Sequence, residues 1–250
     1  MRIYFLQSER NWTDMGIKYQ RVLIKISGEA LSGGKGTGYD FSFVTRVCES
    51  VKRCLDLGAQ VGIVIGGGNF WRGVKDGAGK IERVSADRMG MLATAINCIA
   101  VSDVFRQCGV DARVMTAVEI QSVGERHDVR KAKEYLEEGK VVLFACGTGH
   151  PFFSTDTAAA LRAAEIGADA ILLAKNIDGV YSADPKKEPD AVRFDEISYD
   201  EVLARRLQVM DSTATSLAMD NGLPVIVFAL ADPENLVRVL CGESVGTLVH

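Results

Sequence analysis

The chain reads as an α/β protein, a three-layer αβα sandwich around a central, mostly parallel sheet. Three observations predict it. Short runs rich in Val, Ile and Leu recur along 250 residues, helical-period segments separate them, and Gly or Asp marks most of the joins. Continuously apolar strands that alternate with helices belong to a parallel sheet covered on both faces.

The first strand, RVLIKIS at residues 21–27, runs into Gly28. A glycine-rich loop at 32–38 leads to Asp40 as N-cap. Val44, Val47, Val51 and Leu55 follow at helical spacing, with Gly58 as the stop. Residues 61–65 form the next strand. From Ser85 a long helical pattern carries Met89, Leu92, Ile96, Ala100 and Val104 to Gly109. Residues 112–116 are strand-like, 128–138 helical, and 141–147 a further buried strand. A helix then runs from near Thr155 to Gly167, a strand covers 170–174, and a polar loop with prolines covers 182–190. Residues 199–207 and 212–220 are helical, 224–230 a strand, Asp232 caps a helix through Leu240, and GTLV closes the pattern. With no low-complexity linker, residues 17–250 read as one domain, with two lobes meeting near 147–156. Residues 1–16 read as an extension, poorly ordered or bypassed by initiation at Met15. Its apolar stretch, Ile3 to Leu6, is too short for a signal peptide.

Composition narrows the function. Hydrophobic residues are 47% and charged residues 25%, an ordinary globular balance, and the net charge of −4 lacks the basic field of a nucleic-acid binder. An anionic ligand must then be held by local cations and backbone dipoles. The six cysteines form no C-x-x-C pair and sit in apolar runs, which favours a reducing, cytoplasmic setting. With three histidines a structural zinc site is not expected, nor is a membrane span.

The richest segment is VGIVIGGGNFWRG at 61–73. Gly66, Gly67 and Gly68 are free to take left-handed φ/ψ and to let a bulky group approach the main chain. Their N–H groups would form an anion-binding concavity, with Arg72 adding a planar fork of donors. The alternative is a tight strand-to-helix turn with a solvated Arg. Lys25 interrupts an apolar strand, where a buried lysine needs an anion; otherwise it is an edge lysine facing solvent. No G-x-x-x-x-G-K-[ST] sequence occurs, which disfavours a Walker-type nucleoside triphosphatase. In GTGHPFFSTD, Ser154 or Thr155 would cap a helix whose N-terminus suits an anion. Asp156 is either a favourable first-turn acid or a functional residue that orients a catalytic lysine or binds through water to a metal. Phe152 and Phe153 would stack on a base or simply pack. Tyr181, beside Asp178 and Asp184, would flank a nucleoside or belong to a surface loop. Asp87 would accept from ribose hydroxyls or pair with a nearby arginine.

Taken in order, KISGEAL, VIGGGNFWRG, ADRMGMLATAIN, GTGHPFFSTDTAAALRAAEIGAD, DGVYSADP and VMDSTATSLAMDNGLPVIVF resemble the signatures of the bacterial uridylate kinases, a branch of the amino-acid kinase family. The resemblance covers about Lys18 to the C-terminus. It implies ATP-dependent phosphorylation of UMP to UDP in pyrimidine nucleotide biosynthesis. ATP phosphates would lie over Lys25, Ile26, Ser27 and Gly28, with Gly68 and Arg72 beside them. Lys175, Asn176, Tyr181 and Asp184 would flank the base and ribose. UMP would be held by Gly67, Asp87, Thr148, Gly149, His150, Pro151, Phe152, Phe153, Ser154 and Thr155. Lys25, Arg72, Asp156 and Asp211 would carry catalysis, with Mg²⁺ held through ATP phosphates and water rather than by the protein. Lys175 stands where some members have Thr, and His150 where many have Asn. Gly33, Gly34, Lys35, Gly36, Thr37 and Gly38 match a segment associated with GTP activation in some members; UTP inhibition and a homohexamer built as a trimer of dimers are also implied. Two alternatives stand beside this one: a sibling kinase acting on a carboxylate or carbamate, and a non-catalytic nucleotide-binding protein on the same scaffold.

Overall fold

The computed structural model describes residues 16–72, 79–207 and 209–250; the expected N-terminal extension up to Met15 lies outside them. In chain order the elements are β1 (Arg21–Ile26), α1 (Gly28–Leu31), α2 (Phe41–Asp56), β2 (Gln60–Ile65), α3 (Arg83–Gln107), β3 (Ala112–Thr116), β4 (Glu125–Arg126), α4 (Val129–Glu137) and β5 (Val141–Ala145). Then follow α5 (Thr155–Ile166), β6 (Ala170–Lys175), β7 (Glu196–Ile197), α6 (Tyr199–Ala204), α7 (Ser212–Asp220), β8 (Val225–Ala229), α8 (Asn235–Leu240) and β9 (Thr247–Val249). They build one unbroken nine-stranded sheet in the order β4-β3-β5-β2-β1-β6-β8-β9-β7. All pairings are parallel except β8 with β9.

Side-chain alternation along the strands sorts the core into two layers. Val22, Ile24 and Ile26 of β1 pack with α2, α3 and α8, whereas Leu23 packs with α4, α5 and α7 on the opposite face. Lys25 shares the face of Leu23 and so points toward the start of α5. The caps follow local chemistry. Asp40 accepts from Ser42 N at 3.1 Å and Phe43 N at 3.3 Å, and Gly58, Gly109 and Gly167 follow or close their helices at positive φ.

Several boundaries differ from the sequence reading. Ser27 is not a strand residue: it caps α1, accepting from Ala30 N at 3.2 Å. The pattern at 199–207 stops at Ala204, because Arg206 takes φ 52°. Asp232 does not cap α8 directly; it accepts from Glu234 N at 3.1 Å, one turn ahead of the helix. The 25-residue α3 is long and apolar enough to cross a membrane by length and composition alone, and it packs here on β2, β3 and β5.

Candidate active site

The C-terminal ends of β1, β2, β5 and β6 converge on one rim, as expected for ligand sites in open α/β sheets. Lys25 reaches this rim 8% exposed, and its Nζ stands 2.6 Å from Asp156 Oδ1 at the N-terminus of α5. The approach is an ion pair rather than an aligned hydrogen bond, and Oδ1 is buried with no hydrogen-bond partner among the described residues. Lys175 closes the group from β6. Burial lowers its pKa, Lys25 lowers it further, and Asp156 acts the other way. Lys175 Nζ also donates to Val209 O. Two lysines and one carboxylate therefore share a partly dry corner beside a helix N-terminus.

The glycine turn after β2 departs from the sequence reading in its reason. Neither Gly66, Gly67 nor Gly68 has positive φ. Close approach, not handedness, excludes a side chain at Gly67 and crowds its two neighbours. A Cβ at Gly67 would fall 2.9 Å from Gly90 O and from Ala93 Cβ, both on α3. One at Gly66 would lie 3.1 Å from Gly28 N, and one at Gly68 would lie 3.3 Å from Glu29 Oε1. Arg72 Nη2 pairs with Glu29 Oε1 at 2.8 Å and Arg72 Nε approaches Gly68 O at 3.4 Å.

On the α3 side of the turn, Gly67, Asp87, Thr148, His150, Phe153, Ser154 and Thr155 line one cavity together. Its volume of about 150 Å³ is smaller than two neighbours of about 340 and 420 Å³, so its lining rather than its size marks it. Gly149, Pro151 and Phe152 belong to the same loop without lining it. Asp87 anchors that loop, accepting from Phe152 N at 2.8 Å while pairing with Arg83 Nε at 2.7 Å. Phe152 is held at φ 73° with the Arg83 guanidinium 5.1 Å from its ring, so of the two readings of Asp87 the pairing with a nearby arginine is the one observed. Ser154 caps α5, accepting from Asp156 N at 2.9 Å and Thr157 N at 3.1 Å. Trp71, Ala86, Gly90, Met91, Thr94 and Gly147 complete the wall and were missed. Gly90 and Thr94 repeat at four-residue spacing from Ala86, which is the signal that a helix face enters the site.

On the other side, Glu29, Gly33, Gly34, Gly36, Arg72 and Asn176 line the second cavity. The glycines expected to serve activation thus stand beside Arg72. Lys175, Asp156 and Ser212 line the third. Tyr181 and Asp184 line none of the three: Tyr181 donates to Asp178 Oδ1 at 2.9 Å, and Asp184 accepts from Lys186 N at 3.0 Å within its own turn. Asp211 is also spoken for. It caps α7 through Ala214 N at 3.0 Å and accepts from Thr157 Oγ1 at 3.2 Å and from Ser154 Oγ, joining two helix starts. No ion pair joins it to a cation among the described residues.

Such a rim, with two lysines, an arginine, bare backbone and a helix N-terminus, is built to handle anions. The model of the amino acid kinase family matches residues 20–229, and the chain belongs to that family. Among solved structures, it is similar to a UMP kinase from Bacillus anthracis, at 38% identity and TM-score 0.89, over 93% of this chain and 96% of that one. A UMP kinase from Ureaplasma parvum matches at 35% identity and TM-score 0.87, over 93% of this chain and 99% of that one. A uridylate kinase from Archaeoglobus fulgidus matches at 27% and 0.72, over 92% and 99%.

Proposed function

We propose that the chain phosphorylates UMP to UDP with ATP, a phosphotransfer within pyrimidine nucleotide biosynthesis. One observation carries the reading. The glycine turn has a cavity lined by Asp87, Thr148, Ser154 and Thr155 on its α3 side and the Arg72 cation on the other, with the Lys25–Asp156 ion pair on the same rim. UMP would occupy the cavity of Asp87 and Thr148 to Thr155, and ATP the side of Ser27, Gly28, Gly68, Arg72 and Asn176, with Lys175, Tyr181 and Asp184 toward its base and ribose.

The chemistry asks little of a base. The second pKa of a phosphate monoester is about 6, so UMP attacks as a dianion at neutral pH. Bringing two anions into line is the difficulty, and cations with fixed N–H donors answer it. Lys25 and Arg72 would neutralise the phosphoryl in transit, Asp156 would hold Lys25 in place, and Asp211 would hold the start of α5 through Ser154 and Thr157. Of the carboxylates at hand, Glu29 and Asp156 each already face a cation, and Asp211 accepts from Ser154, Thr157 and Ala214. That donor set fits Mg²⁺ carried on ATP oxygens and water, where it would offset charge on the β- and γ-phosphates.

The exposed stripe Met89, Leu92, Ile96 and Ile99 on α3 supports assembly of like chains, and a hexamer is the assembly we assign. The thiols, all unbridged, suit the cytoplasm. Activation by GTP through residues 33–38 and inhibition by UTP belong to the same proposal. ADP release measured by a coupled assay over UMP, CMP, acetylglutamate, aspartate and carbamate tests it. Turnover is expected with UMP above all; turnover with a carboxylate or carbamate but not with UMP would overturn the reading.

A further inference from the structure

A buried amide pair sits behind the glycine turn and belongs to none of the expected site residues. Asn97 on α3 is fully buried and Asn69 is 2% exposed. They bond head to tail: Asn69 Nδ2 donates to Asn97 Oδ1 at 3.0 Å, and Asn97 Nδ2 donates to Asn69 Oδ1 at 2.8 Å. Each amide nitrogen has a second hydrogen, and both go to backbone. Asn97 Nδ2 donates to Gly66 O at 2.7 Å, and Asn69 Nδ2 to Gly38 O at 3.1 Å. Flipping either amide would set oxygen against a carbonyl, so the network fixes both orientations. A Cβ at Gly28 would fall 2.4 Å from Gly66 O and 2.5 Å from Asn69 Oδ1, so the pair also abuts the turn after β1.

Burying two carboxamides costs desolvation that a pair of leucines would avoid. What leucines cannot do is hold a carbonyl at a fixed place. We infer that Asn97 is a positioning residue for phosphoryl transfer: through Gly66 O and Asn69 it sets the separation of the β1 and β2 turns without touching either nucleotide. The inference rests on the proposed division of donor and acceptor by those turns. A residue that sets spacing acts on the transfer step more than on either binding step, because a misplacement of about 1 Å costs a rate far more than an affinity.

The test compares wild type, Asn97→Ala, Asn69→Ser and the double variant, reading kcat together with calorimetric Kd values for UMP alone and for a non-hydrolysable ATP analogue alone. The expected result is a kcat at least tenfold lower per folded enzyme, with each Kd within threefold of wild type. The double variant should lose no more than the worse single, since the two amides act as one unit. Should Asn97→Ala not fold, Asn69→Ser removes the same reciprocal bonds from the turn side. A smaller fall in kcat, or one matched by weaker binding of either nucleotide, overturns the inference. Failure of the wild type to phosphorylate UMP would instead overturn the proposed function, and it is seen before any variant is made.

Discussion

A lysine inside a buried strand is tolerable only where an anion meets it, and alternation along β1 decides on which face that anion stands. Asp156 meets Lys25 there at 2.6 Å, with both side chains largely shielded. Removing one partner of such a pair leaves the other charge poorly solvated, a cost on the order of 3 kcal/mol when burial is complete and less here. Asp156→Asn should therefore lower the melting temperature by several degrees and leave Lys25 beside Lys175 without its counter-charge. Lys25→Ala should keep the fold and lower kcat about a hundredfold or more, the usual scale for one preorganised charge at a transition state. Steady-state rates and thermal melts check both, and near-normal turnover of Lys25→Ala would remove that residue from the catalytic set.

At the scale of elements, what local chemistry dictates was legible in the sequence. Asp40, Ser154 and the glycines at 58, 109 and 167 mark helix ends, and the apolar runs mark the central strands. The short elements α1, β4 and β7 were not legible, since two to four residues carry no period. The reason for the glycine turn was misread because it is nonlocal: Gly67 must be bare to admit α3, not to take an unusual φ. Asn97 escaped notice for the same cause, reading along the helix as one polar interruption. The face of α3 that carries Met89, Leu92, Ile96 and Ile99 is exposed at the heptad-like spacing of a contact stripe. Leu92→Glu combined with Ile96→Glu should reduce the particle to smaller assemblies in sedimentation velocity; an unchanged sedimentation coefficient would place the interface elsewhere.

At the scale of the molecule, the strand order places β1 between β2 and β6, so the chain leaves the sheet centre in both directions. Ends of strands far apart in sequence thereby meet at one rim, which is why the segments at 25–28, 66–72 and 148–156 lie together. Within that rim the glycine turn is the divider. Gly67 faces the wall of Asp87 and Thr155, and Gly68 faces Glu29 and Arg72. Calorimetric titration of Gly67→Ala with UMP and with a non-hydrolysable ATP analogue, each alone and on protein whose thermal melt shows it folded because the added Cβ presses on α3, tests this most directly. The account predicts UMP affinity lowered at least tenfold with analogue affinity held within threefold; equal loss of both would contradict the division of the turn between two nucleotides.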